Sequence, residues 1–397
     1  MTGRMVNLGE SYDTRDHLKN AAKQAKQRGY DDFLIVDVDA HHYETESWAQ
    51  IQKYIDNPMI RQISEAATGK GRGKSILVNQ IGNQDIGGRV TRYQHRKLEK
   101  TEGPLPRDLQ VTKRSMEAMG IDYTILFPTP MLSLGLHPQV HIEVACARAY
   151  ARWITEEILA HEPSIKTMLY LPFNDPDESL RIIEDFGDRP GVVGFMVTSV
   201  RHKPVHHNSY MKVYRAIEER GKPLGFHGGY SWTGDRYMEQ FNKFISVHAL
   251  GFPLFNMVHL TNFVVNGIPE RFPNLKVMWI ESGLAWIPFL MQRLDHEYSM
   301  RSSEVPSLTK KPSEYMQEFF YTSQPMERPD NLNVLKTTFD MIHADTQLLY
   351  ASDYPHWDFD LPSVIYDLPF LDERAKRNIL GESAAKLFKL EAKIKSR

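Results

Sequence analysis

The chain has a single cysteine, Cys146, in 397 residues. This excludes an intramolecular disulfide and any zinc cluster built on several thiolates. It suits a reducing cytosol, so a cytoplasmic protein is expected. Charge of one sign is also missing: 48 Lys+Arg against 50 Asp+Glu leave a formal net charge of −2. Nothing in that balance favours nucleic acid or an anionic membrane as partner. No apolar run approaches the ~20 residues needed to span a bilayer. The opening MTGRMVNLGESYDTRDHLKNAAKQAKQRGYDD has no apolar centre of the kind a secretory signal requires. Internal repeats and low-complexity tracts are absent, and no linker is long enough to divide the chain. What is present is ordinary globular composition, 41% hydrophobic and 25% charged, which supplies a large core and excludes global disorder. The unusual count is 16 His, which directs attention to metal or proton chemistry.

Residues 1–30 read as a polar, largely helical arm, and residues 31–397 as one folded unit. FLIVDVDAHHYE (33–44) is a β-branched apolar run that breaks into Asp, His and Glu, the pattern of a buried parallel strand with polar residues at its C-terminal end. Residues 60–110, rich in Gly and charge, read as an inserted, lid-like segment after this strand. GKGRGKS within it lacks the spacing of a phosphate loop and reads as a solvated basic loop. Seven further strand candidates follow: YTILFP (123–128), TMLYLPF (167–173), VVGFMVTS (192–199), KPLGFHGG (222–229), LKVMWIES (275–282), FFYTS (319–323) and QLLYASD (347–353). Helical segments such as HIEVACARAYARWITEEILAHE, DESLRIIEDFG and LFNMVHLTNFVVNGIPERF separate them, several stopping at Gly. Eight β-then-α units predict an α/β fold, a (β/α)₈ TIM barrel, with a doubly wound open sheet as the alternative.

In such a barrel the active site lies at the C-terminal strand ends. Asp39 and His41 are two apart on the first strand and share a face; Glu44 follows in the turn. His227 ends the fifth strand, Glu281 the sixth and Asp353 the eighth. Any one of these residues alone is more often a cap or a turn residue than a ligand. Their recurrence on four strand ends of one barrel argues for a metal site. His42, His248 and His356 lie nearby in sequence. Alternation turns His42 away from His41 towards packing, His259 reads as a core residue within a helix, and His248 is open to either reading. His356, Trp357, Arg201 and the turn Tyr230–Trp232 are candidates for lining the pocket.

DVDAHHYE, FHGG, NGIPERFPNLKVMWIESGLAWIPFLMQRLDHEY and LLYASDYPHWD together resemble the amidohydrolase-related family. These are the barrel enzymes similar to aminocarboxymuconate semialdehyde decarboxylase within the amidohydrolase superfamily. The resemblance implies that Asp39, His41, His227, Glu281 and Asp353 occupy positions that carry metal ligation or catalysis. Three departures stand out. Many relatives begin His-x-His or Glu-x-His where this chain has Asp39 and His41. The decarboxylases place at the sixth strand end a His that assists proton transfer, where this chain has Glu281. Glu44 is an additional carboxylate, and no strand-end Lys suggests a carbamylated bridge.

Four carboxylates beside neutral imidazoles exceed what one divalent ion neutralises in a low-dielectric pocket, which favours two ions. Oxygen-rich ligation points to Fe or Mn, with Zn possible. The expected metal set is therefore Asp39, His41, Glu44, His227, Glu281 and Asp353, with His248 as a further candidate. Glu281, Asp353 and His356 are the candidate acid–base groups. A small branch of the family uses a dinuclear centre for O₂-dependent hydroxylation of small organic acids, and the Asp-x-His-x-x-Glu start with Glu281 resembles it. The leading expectation is thus the oxygenase component of a monooxygenase, with electrons from a separate reductase or ferredoxin, since no flavin or nicotinamide fingerprint is present. The alternative is a mononuclear metal-dependent decarboxylase or hydrolase. A third reading is a non-catalytic subunit paired with a homologous active one. Apolar segments such as GFPLFNMV and GLAWIPFLMQ suit homo- or hetero-oligomeric contact.

Overall fold

Every residue of Val36–His42 is buried, as parallel strands covered on both faces require, and this strand begins the sheet of the computed structural model. The structure describes residues 14–68, 101–198, 203–229, 231, 235–356 and 358–391. The strands are β1 (Val36–His42), β2 (Tyr123–Pro128), β3 (Ile165–Tyr170), β4 (Val192–Thr198), β5 (Leu224–His227), β6 (Val277–Ile280), β7 (Phe320–Thr322) and β8 (Leu348–Leu349). They lie side by side in chain order, each parallel to the next. The ring is closed by backbone hydrogen bonds between the β8 end and β1. Val38 N–H donates to Tyr350 O (3.0 Å), Asp353 N–H to Asp39 O (2.7 Å) and His41 N–H to Tyr354 O (2.7 Å). The fold is therefore the (β/α)₈ barrel and not the open sheet.

Helices cover the outside between strands, among them Val140–Trp153, Pro176–Phe186, Met211–Glu219, Phe244–Val265, Trp286–Arg301 and Leu332–Met341. Local chemistry sets their ends. Asp175 caps the second of these by accepting from the amides of Asp177 and Glu178, filling donors that a helix start leaves unpaired. The run LFNMVHLTNFVVNGIPERF, continuous by periodicity, is broken: Gly267 takes the left-handed conformation (φ 67°) and a separate short helix begins at Ile268. The strands are shorter than the apolar runs that announced them. In QLLYASD, Leu348 and Leu349 alone have sheet pairing, because the chain beyond them leaves β7 to close on β1.

The helix Thr14–Arg28 of the N-terminal arm lies on the barrel. Leu18 and Ala21 are buried, and the Arg28 guanidinium donates to both carboxylate oxygens of Asp367 at 2.9 and 2.6 Å. Helix Pro58–Thr68 forms the start of the inserted segment, and helix Arg107–Met119 begins at its end. Most of that segment, with GKGRGKS, lies outside the described residues, as do Arg201, Tyr230, Trp232 and Trp357. Among the described residues no helix is long and apolar enough to cross a membrane.

Candidate metal centre

Alternation along β1 turns Asp39 and His41 into the barrel mouth and His42 outwards. His42 Nε2 lies 2.8 Å from Tyr150 Oη, and its ring stacks on Trp153 at 5.5 Å between ring centres, so His42 packs. His259 is buried and stacks over Phe226.

The other strand ends bring their polar residues to the same point. His41 Nε2 lies 3.2 Å from Asp39 Oδ1, 3.4 Å from Asp353 Oδ1 and 3.8 Å from Glu281 Oε2. His227 Nε2 is 3.3 Å from Asp39 Oδ1. Two overlapping quartets each offer ligand atoms within 4.8 Å of one another: Asp39, His41, His227 and Glu281, and His41, Glu281, Asp353 and His356. Ligands ~2.0–2.3 Å from one ion necessarily lie within about 4.6 Å of each other, so the spacing suits a bound cation. Four atoms at this point, Asp39 Oδ2, His41 Nε2, Glu281 Oε2 and Asp353 Oδ1, are buried without a hydrogen bond. Buried polar atoms are rarely left so, and four of them converging on one point match a divalent ion's demand for anionic and imidazole donors. The donor set fits the metal that the motifs imply.

The backbone serves this arrangement at some cost. Glu281 (φ 51°) and Asp353 (φ 61°) are both left-handed, a conformation costing of order 1–3 kcal/mol for a residue with a Cβ and concentrated at functional sites. Glu281 N–H is held by Thr322 Oγ1 at 3.0 Å. His227 Nδ1–H donates to Gly228 O at 2.9 Å, which fixes the tautomer and leaves the Nε2 lone pair facing the cluster. Asp37 lies two residues before Asp39 on β1, where the pairing with β2 shifts register. It accepts from Ser352 N–H (2.8 Å), Ser352 Oγ–H (2.5 Å) and Asp39 N–H (3.2 Å), lashing β1 to the β8 end. The strand-end reading passed over it, because it lies inside β1 and not at its end.

Electrostatics divides the carboxylates. Burial disfavours the Asp39 anion, but His227 and His41 outweigh it and hold this carboxyl below the usual carboxylate range. Burial pushes Glu281 well above that range, helped by the charges of Asp39 and Asp358. Asp353 is driven up in the same way by burial and by Glu281. Burial also lowers His41, with Asp39 pulling it back. Without a counter-cation, the pocket retains protons on part of its carboxylate set.

Two residues of the expected set stand apart. Glu44 accepts from Met131 N–H (2.6 Å) and Thr129 N–H (3.0 Å), and burial pushes it up to about 7. Three residues past His41, its side chain runs beneath the loop that follows β2, so the geometry does not bring Glu44 and Glu281 together. His248 sits on the helix Phe244–Val265, with Nε2 3.6 Å from Asp358 Oδ2 and its ring edge-on to Phe252. His356 does join the site: its Nδ1 is 2.6 Å from Asp353 Oδ1, and its ring stacks on His41 at 4.3 Å. Thr129, at the end of β2, was not singled out from sequence, yet its Oγ1 lies 3.3 Å from His41 Nδ1 and 3.1 Å from His356 Nε2.

Fold and site together define a parallel (β/α)₈ barrel with a buried carboxylate–imidazole cluster at the C-terminal ends of its strands. A family model described as amidohydrolase matches residues 36–390, and the chain belongs to that family. Three solved structures share its barrel. An amidohydrolase from Mycobacterium avium subsp. paratuberculosis is 19% identical, with a TM-score of 0.66 over 92% of this chain and 99% of that one. A dihydroxybenzoic acid decarboxylase from Polaromonas sp., with bound manganese and 2-nitroresorcinol, is 16% identical, with a TM-score of 0.64 over 91% and 99%. A 5-carboxyvanillate decarboxylase from Novosphingobium aromaticivorans, with manganese and 4-hydroxy-3-methoxy-5-nitrobenzoic acid, is 19% identical, with a TM-score of 0.64 over 91% and 97%.

Proposed function

We propose that this chain is a metal-dependent decarboxylase of a small, preferably aromatic, organic acid. The observation that carries the reading is the buried convergence of Asp39, His41 and His227 with two carboxyls, Glu281 and Asp353, that burial and mutual repulsion hold well above the usual carboxylate range. Decarboxylation consumes a proton at carbon: the C–C bond to the carboxylate breaks, a C–H bond forms and CO₂ leaves. The carboxyl of this pair that the ion does not take, whose burial favours its protonated form, is suited to deliver that proton. The manganese-bound aromatic-acid decarboxylases among the structural relatives support the same class. They favour it over the oxygenase expectation, for which these relatives offer no counterpart.

Asp39, His41 and His227, with Asp353 or Glu281, would hold the ion. When bound, it supplies a Lewis acid that orients the substrate's oxygens and draws off the charge released by C–C cleavage. Asp39 remains the fixed anion of the cluster. The protonated member of the Glu281–Asp353 pair donates to the carbon losing CO₂. His356, whose Nδ1 lies 2.6 Å from Asp353 Oδ1, is the base adjoining that carboxyl and exchanges a proton with it. Burial of the remaining groups keeps water from competing.

The test is CO₂ release from a panel of hydroxybenzoic and related small acids by manganese- or zinc-loaded protein in D₂O. The expected product carries one deuterium at the vacated carbon, and His227→Ala abolishes turnover. O₂ consumption without CO₂ release, with two iron ions per chain, would overturn this reading in favour of hydroxylation. The two ligand quartets overlap at His41 and Glu281, so metal count is measured alongside.

A further inference from the structure

We infer that Thr129 is a positioning residue that sets the ring tautomer of His356, and that Glu44 holds it in place to do so. The argument starts from one hydroxyl proton. Thr129 Oγ1 lies between His41 Nδ1 (3.3 Å) and His356 Nε2 (3.1 Å), and a hydroxyl with one hydrogen donates to one ring and accepts from the other. His41 Nε2 points into the ligand cluster, 3.2 Å from Asp39 Oδ1 and 3.4 Å from Asp353 Oδ1. As a ligand it presents its lone pair there, so the proton of His41 resides on Nδ1 and is donated to Thr129. Thr129 then donates to His356 Nε2. That leaves the His356 proton on Nδ1, 2.6 Å from Asp353 Oδ1. The direction of the hydrogen bonds, His41 to Thr129 to His356, follows from ligation at one nitrogen.

Glu44 explains why the hydroxyl is where it is. Its two oxygens accept the amides of Thr129 and Met131, pinning the first turn of the loop after β2. A second buried carboxylate, Glu143, ties the same loop further on: Asn174 Nδ2 bridges Glu143 Oε2 (2.8 Å) and Gly135 O (2.7 Å). A carboxylate that sequence assigns to metal ligation is thus an anchor for a residue that orients a ligand ring from behind.

The tautomer assignment rests on ion binding at His41 alone, and its kinetic consequence rests on the decarboxylase reading. The test is long-range ¹H–¹⁵N correlation on ¹⁵N-histidine-labelled, zinc-loaded full-length protein, with zinc chosen because it is diamagnetic. In the wild type His356 is expected as the Nδ1–H tautomer. Thr129→Val, which keeps the shape and removes the hydroxyl, is expected to shift His356 towards Nε2–H, Thr129→Ser to restore the wild-type pattern, and Glu44→Gln to produce a smaller shift of the same sign. In turnover, Thr129→Val is expected to lower kcat ~10–100-fold, the usual effect of losing a group behind a ligand, with KM within about twofold, and Thr129→Ser to recover most of the rate. A wild-type His356 protonated on Nε2, or a Thr129→Val spectrum identical to wild type, would overturn the inference whether or not CO₂ is released. Absence of CO₂ release with the expected spectra would overturn the decarboxylase reading and leave the Thr129 assignment standing.

Discussion

Replacing Gly228 by alanine puts a methyl group where the β5 and β6 ends are in backbone contact. The added Cβ would lie 2.0 Å from Glu281 O and 2.9 Å from both Glu281 C and Ile280 O. Reaching ordinary contact requires a separation of about 1.4 Å or more, and because the obstacles are backbone atoms no rotamer change provides it. The hydrogen bond from Gly228 N–H to Ile280 O (2.7 Å) must stretch. The two displaced segments carry His227 and Glu281, and the Gly228 carbonyl is the acceptor that fixes the His227 tautomer. Overpacking of this kind costs ~1–3 kcal/mol, and a backbone clash belongs at the upper end. Losing the orientation of a ligand ring costs a further ~10–100-fold in metal affinity. Gly225→Ala on the same strand is the control. Its Cβ meets Ile280 Cδ1 at 2.7 Å and Met168 Cε at 3.1 Å, the tips of flexible side chains, so it should cost less and leave metal affinity within about threefold. The assay is urea unfolding of metal-free protein combined with competitive zinc titration for wild type and both variants. Equal unfolding midpoints and equal zinc affinities for Gly228→Ala and wild type would refute the reasoning.

Removing Asp37 leaves Ser352 N–H, Ser352 Oγ–H and Asp39 N–H without their shared acceptor, so Asp37→Ala should destabilise by roughly 2–4 kcal/mol and Asp37→Asn by less; a urea midpoint unmoved by Asp37→Ala would refute this. Burial raises Glu44 and Asp37 to about 7, so the folded chain keeps protons that the unfolded chain releases. The stability from those protons is fully present below the ordinary carboxylate range and is lost as pH rises through about 7, by roughly 3 kcal/mol for Glu44. Urea midpoints of metal-free protein should fall between pH 5 and pH 8, and Glu44→Gln should flatten that fall; a midpoint that rises over this interval contradicts the assignment. Zinc or manganese should saturate near one ion per chain, Glu281→Gln should leave that count unchanged, and His227→Ala should abolish tight binding while circular dichroism stays barrel-like. A wild type holding two ions, falling to one in Glu281→Gln, would instead favour a dinuclear centre.

Much of the site was legible from local pattern. Alternation on β1 places Asp39 with His41 and separates His42, because strand geometry reverses the side-chain direction at every residue. The β-then-α order brings His227, Glu281 and Asp353 to the same mouth, because parallel strands of a barrel all end on one side. Sequence placed Glu44 in the metal set, and nothing in the local pattern pointed to the loop after β2. Its oxygens accept the amides of Thr129 and Met131, more than eighty residues away in the chain. The roles of Thr129 and Asp37 rest on partners from other strands, and the left-handed turns at Glu281 and Asp353 have no signature in residue type. Periodicity and element order are properties of consecutive residues, and so are written in the sequence. Hydrogen-bond partnership across a barrel depends on which distant atoms close packing brings within 3 Å, and that is decided only when the ring has closed.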